Sequence, residues 1–173
     1  MKTVLLMRHA KSSWKDHTMP DMERPLSKRG KKDAPRMGSL LKDKELVPQE
    51  IISSPAVRAK MTAESVAEKS GFKGKIEYQD NFYLAEPPVY AETLRGLPDE
   101  VERVMLIGHN PGLEALVQIL SGQIESLPTA AIAYMVIPVK HWSELDVDTR
   151  AEIIEIWQPH KLKEKSKKDS RNK

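Results

Sequence analysis

Short continuous apolar runs alternate along this chain with longer stretches of helical periodicity, and that alternation leaves few folds open. The runs lie at residues 3–7, 50–53, 75–78, 103–108 and 131–138. Continuous apolar runs of this length suit strands covered on both faces, as in a parallel sheet. Between them, residues 27–45 read as a helix with Ser27 at its N-cap, 55–70 as a helix with Pro55 in its first turn, and 113–120 as a helix following Pro111. Residues 151–158, AEIIEIWQ, alternate polar and apolar side chains, the pattern of a half-exposed edge strand, read here as antiparallel. Strand–helix–strand order of this kind implies an α/β fold. The expected form is a three-layer α/β/α sandwich with a mostly parallel central sheet and one antiparallel edge strand.

At 173 residues the chain suits one such domain, expected over 1–159, with one active site and as a monomer. No apolar run approaches the roughly 18 residues of a membrane-spanning helix. The opening MKTVLLMRHAK is interrupted by charge too soon for a signal peptide, so a cytoplasmic location is expected. The absence of cysteine removes disulfides, thiolate catalysis and Cys-based zinc sites. Residues 160–173 carry seven Lys and Arg against two acids, whereas the other 159 residues carry 21 against 23. A basic tail on a mildly acidic body argues against a nucleic-acid-binding domain. The tail is expected to be solvated and without fixed structure.

Three segments, LLMRHAKSSW, ISSPAVRAKMTAE and MLIGHNPGLE, place a cationic or imidazole side chain just beyond an expected strand or at the opening of a helix. Ligands of open parallel sheets bind beyond the carboxyl ends of the strands. Arg8, His9 and His109 fall at such ends, and Arg58 falls early in the helix that follows the second. Two guanidiniums, two imidazoles and helix N-termini together suit a dianion such as phosphate. Each residue also has an ordinary reading: Arg58 as an exposed partner of Glu64, and Asn110-Pro111-Gly112 as a turn. Five histidines in the chain, two of them at strand ends, favour the collective reading; His17, His141 and His160 are left to loops and tail. The polar stretch 11–26, with two prolines, reads as a long ordered loop placed to line a site.

Arg8-His9-Ala10, Ser53-Ser54-Pro55-x-x-Arg58-Ala59-x-x-Thr62-Ala63-Glu64 and Gly108-His109-Asn110 resemble the signature blocks of the histidine phosphatase superfamily. Arg24-Pro25-Leu26-Ser27-x-x-Gly30 and the short length resemble its SixA-type phosphohistidine phosphatases. The resemblance implies a phosphoglycerate mutase-like fold and a phosphatase without metal or other cofactor. In it His9 is the nucleophile, and Arg8, Arg58 and a protonated His109 hold the phosphoryl oxygens. Ala10 stands where the usual motif has glycine, so the backbone after His9 must keep an ordinary φ. Glu86 is the candidate for an acid that protonates the leaving group. The implied partner is a phosphorylated protein carrying phosphohistidine, or else a small phosphate ester. The competing readings are a small-molecule phosphatase or mutase, a non-catalytic phosphate-binding or phosphoprotein-binding module, and metal binding by His9 and His109, which the adjacent arginines oppose.

Overall fold

The structure, a computed structural model, describes residues 1–172. Its strands are β1 (Lys2–Arg8), β2 (Glu50–Ser53), β3 (Glu77–Tyr78), β4 (Arg103–Gly108), β5 (Ile132–Ile137) and β6 (Glu152–Trp157). Its helices are α1 (Lys28–Asp43), α2 (Val57–Ser70), α3 (Pro87–Arg95), α4 (Gly112–Ser121) and α5 (Pro159–Arg171). One sheet orders the strands β3-β2-β4-β1-β5-β6. The first four pair in parallel, whereas β5 runs antiparallel to β1 and β6 antiparallel to β5. The edge strand β6 therefore pairs antiparallel as expected. The strand that opposes the parallel set is β5, one place in from that edge.

The apolar runs are continuous because both faces of the central strands are covered. Val4 and Leu6 of β1 point into a core shared with Tyr90 of α3 and Leu116 of α4. Leu5 and Met7 point the other way, into a core shared with Met37 of α1 and Val66 of α2. All four are fully buried, and side chains of this size contribute about 1.5–3 kcal/mol each on burial. The three layers follow from this two-sided burial. No helix among the described residues is long and apolar enough to cross a membrane.

Several expectations are corrected. β3 is a two-residue exposed edge rather than a buried strand over 75–78, because only Glu77 and Tyr78 reach β2. α2 starts at Val57 with Ala56 as its N-cap, so Pro55 precedes the helix instead of entering its first turn. α3 has no counterpart among the expected elements. Its opening Pro87-Pro88 resembles a loop, but proline suits the first turn of a helix, where no backbone N–H is needed. The tail is helical from Pro159 to Arg171: Lys and Glu are good helix formers, Pro159 opens the helix, and Leu162 packs with Leu40 against the α1–α2 core. Lys173, the end of the expected tail, lies outside the described residues.

The segment Ser27-x-x-Gly30 joins the loop after His9 to α1. Ser27 Oγ accepts from the Gly30 N–H at 3.2 Å, and its own N–H and Oγ–H both donate to the Lys11 carbonyl, at 2.8 and 3.0 Å. Gly30 lies so close to that carbonyl that an added Cβ would stand 2.2 Å from its oxygen. Gly30→Ala must therefore shift the Lys11 backbone or the start of α1. The expected cost is about 1–3 kcal/mol, read as a fall in the thermal midpoint of roughly 2–4 °C per kcal/mol. An unchanged midpoint would show that this contact does not restrain the loop.

Candidate active site

The parallel register brings the three signature segments to one edge of the sheet. Arg8, the last residue of β1, pairs with Gly108, the last of β4, while Ser53 at the end of β2 pairs with Ile107. His9, His109 and Ser54 each follow one step beyond a strand end. The ladder extends to them through His9 N–H to the Gly108 carbonyl (3.1 Å) and Ser54 N–H to the Ile107 carbonyl (3.0 Å). The His9 and His109 ring centroids are 5.1 Å apart. Arg58, the second residue of α2, brings Nη2 to 3.5 Å from His109 Nδ1. His9, His109 and Arg58 line one cavity of about 270 Å³ together with Arg8, so the four sequence-expected residues converge. Arg58 is 5% exposed and turned inward, which sets aside its reading as a surface partner of Glu64.

Each side chain is fixed by a neighbour. His9 Nδ1 is 2.8 Å from the Ala10 carbonyl, which can only accept, so Nδ1 carries the proton and Nε2 is left with its lone pair. The Ala10 N–H donates to Thr62 Oγ1 at 3.0 Å, and that hydroxyl donates to the Arg58 carbonyl at 2.7 Å, linking the turn after His9 to α2. Ala10 is fully buried and is not among the residues with positive φ, so its departure from glycine is accommodated. Arg8 Nη1 donates to the Leu127 carbonyl at 3.2 Å. That loop is pinned in turn by Glu114, which accepts from Leu127 N–H and from Asn110 Nδ2. His109 Nε2 lies 2.7 Å from Ser54 Oγ. A guanidinium only donates, so Nδ1 of His109 accepts from Arg58 and Nε2–H donates to Ser54.

Asp21 is the residue that sequence reasoning missed. Arg58 Nη1 donates to its carbonyl at 2.7 Å and Nη2 to its carboxylate at 3.0 Å, while Tyr83 Oη–H donates to the same carboxylate oxygen. Nothing local distinguished Asp21 from Asp16 or Glu23 in the same polar loop. Tyr83 likewise carried no signal, although its ring meets His109 edge-on at 5.6 Å. Ser54 and Thr62 lay inside the quoted motif and needed only a structure to receive their roles. Glu86, the expected acid, is exposed at the N-cap of α3 and does not line the cavity. Among the described residues no group of three or more His, Asp or Glu is arranged to hold a metal ion.

The profile of the histidine phosphatase superfamily (branch 1) matches residues 4–85. A chloroplast protein of Arabidopsis thaliana, without an assigned function, is 34% identical over 153 residues, spanning 83% of this chain and 70% of its own. A protein assigned as the phosphohistidine phosphatase SixA of Agrobacterium tumefaciens superposes with a TM-score of 0.78 at 28% identity, covering 91% of this chain and 98% of that one. The protein histidine phosphatase SixA solved with tungstate gives 0.79 at 24% identity, over 92% and 99%.

Burial governs the charge of both imidazoles. Desolvation, aided by Arg58 and Arg8 and opposed by the Ala10 carbonyl, pushes the His9 pKa down to about 4. Desolvation, then the neighbouring His9 and Arg58, pushes His109 down to about 3. His109 is thus neutral in the free protein, because a third cation is not accepted in a buried site that already holds two arginines, and the protonated form that the resemblance implies belongs to the phosphate-bound site. The Tyr83 hydrogen bond, with Arg58, holds the Asp21 carboxyl below its usual range.

Because both folded histidine pKa values lie below the ordinary 6.5, the unfolded chain binds protons more readily. Their contribution to stability is complete above pH 6.5 and is lost as pH falls toward 4 and 3. Ring NMR resonances of His9 and His109 in the ligand-free protein are expected to titrate near those lower values. Midpoints near 6.5 for both would contradict the buried, neutral pair.

Proposed function

Because the chain belongs to the histidine phosphatase superfamily, and with it to a class of phosphatases, we propose that it removes phosphate from phosphohistidine in proteins through a covalent intermediate on His9. The observation that carries this reading is a neutral imidazole with Nδ1 tied to a carbonyl and Nε2 unprotonated, in one cavity with two guanidiniums. Nε2 attacks phosphorus in line, the N–P bond forms, and the bond from phosphorus to the leaving nitrogen breaks with its electron pair. The leaving imidazole takes its proton from solvent. Water then attacks the phosphohistidine, the electron pair returns to Nε2, and inorganic phosphate departs.

Arg8 and Arg58 supply the charge that the equatorial oxygens need, and in a buried site these cations act more strongly than in water. They also oppose entry of a metal cation, and the proposed reaction uses none. The bound dianion raises the pKa of His109, whose Nδ1 then gains a proton and donates to a phosphoryl oxygen while Nε2–H stays on Ser54. Asp21 keeps Arg58 aimed until the phosphoryl group competes for its donors.

Leaving-group chemistry supports a P–N substrate. Asp21 is the carboxylate lining the cavity, and Tyr83 and Arg58 hold it ionised. Glu86 stands outside. With no protonated carboxyl at hand, a leaving imidazole is favoured over an alkoxide, because the P–N bond breaks with less acid assistance. The SixA protein histidine phosphatase of like fold was solved with tungstate, an oxyanion of phosphate-like shape, which fits a phosphoryl site at this edge of the sheet.

Brief reaction with a ³²P-labelled phosphohistidine peptide should leave acid-labile, alkali-stable label on the protein, and His9→Ala should carry none and show no turnover. Arg58→Ala is expected to lower kcat/KM on the order of 10²-fold or more, and chelators should leave the wild type active. Turnover by His9→Ala would remove the nucleophile, and a marked preference for sugar phosphates over the peptide would remove the substrate.

A further inference from the structure

The mouth of the cavity differs in kind from its floor. The floor is built of guanidinium and imidazole groups, yet the more exposed lining includes, beside Lys11, two large apolar side chains, Trp14 and Leu84, each 55% exposed. An isolated phosphate needs no such wall, and water disfavours both residues there.

Both are held in place against local cost. Leu84 adopts φ 50°, the left-handed region that a branched side chain enters at a penalty and that clusters at ligand-binding positions. The guanidinium of Arg24 lies 3.8 Å from the Trp14 ring centroid. Arg24 is 8% exposed, and its Nε and Nη1 have no hydrogen-bond partner among the described residues, with Nε 3.8 Å from the Asp21 carboxylate. Buried donors without partners are unfavourable, so the indole face and the Asp21 carboxylate together retain this arginine. The result is a half-exposed indole, braced by Arg24, in the lining of the same cavity as His9.

We propose that Trp14 and Leu84 form a slot for the planar ring of the leaving group, and so select an imidazole-borne phosphoryl group over an aliphatic ester. The proposal rests on the reading of the cavity floor as a phosphoryl site. The floor reads the anion and the slot reads the ring. Stacking on Trp14 also orients the ring nitrogen in line with His9 Nε2, which makes both side chains specificity-determining rather than catalytic.

The test uses two ligands that share the phosphonate head and differ in the ring. The ligand-free wild type should bind phenylphosphonate more tightly than methylphosphonate. Trp14→Ala should lower that ratio about 3- to 10-fold, the usual worth of one aromatic pair, with less than a 2-fold change for methylphosphonate. Trp14→Phe should restore the ratio. Leu84→Gly, which keeps the left-handed backbone while deleting the side chain, should lower it as well. In turnover, Trp14→Ala should reduce kcat/KM for a phosphohistidine peptide more than for phosphoramidate, which has the P–N bond without the ring. Equal losses on both ligands would make Trp14 a support for the floor and overturn the slot, and an unchanged ratio would overturn it too. A wild type that prefers phenylphosphonate, loses the preference in Trp14→Ala, and yet leaves phosphohistidine intact would sustain the slot while removing the proposed substrate.

Discussion

The parallel ladder of β2, β4 and β1 is the constraint on which the rest of this molecule depends. Its register sets Arg8 beside Gly108 and Ser53 beside Ile107, so the residues that follow each strand emerge at one edge. A shift of one position in any of these strands would turn its side chains to the opposite face and withdraw its contribution to the cavity. The two apolar cores prevent such a slip, because Leu5 and Leu6 of β1 are each fully buried on opposite faces. The site therefore inherits its geometry from hydrophobic burial some distance away. Loop contacts such as Ser27 to the Lys11 carbonyl add the finer placement.

Electrostatics in the cavity follow from that burial. Two arginines are placed where water is scarce, and a single carboxylate, Asp21, is given to one of them. The imidazoles answer by staying neutral, since each added cation would be both desolvated and repelled. Neutrality has a chemical use for His9, whose unprotonated nitrogen is the one able to attack. The same field that keeps the free histidines uncharged is what a phosphoryl dianion would enter most favourably. Positioning groups extend outward from there, through Thr62 to Ala10 and through Glu114 and Leu127 to Arg8.

Much of this was readable in the order of residues, and the failures have physical causes. β1, β2 and β4 announced themselves because strands covered on both faces leave continuous apolar runs. β3 was overread because two residues of backbone pairing leave no hydrophobic signature. α3 was missed because proline marks both a loop and the first turn of a helix, and α5 because a Lys-rich segment composes a tail and a helix equally well. In the site, Arg8, His9, Arg58 and His109 were found through their strand-end and helix-start positions, and the structure gathers them into one cavity. Glu86, the candidate acid, stands exposed outside the cavity.

By itself the sequence determined the periodicities, and through them the layered α/β arrangement and the end of the sheet at which a ligand would meet cations. Those properties are local: they depend on which side chains repeat at which spacing. Only the tertiary structure decided that Asp21 meets Arg58, that Arg24 braces Trp14, that β5 rather than β6 opposes the parallel strands, and that His109 is neutral in the free protein. Partner choice, strand order and proton affinity depend on distances between residues far apart in the chain and on the exclusion of water, and a linear sequence specifies neither until it has folded.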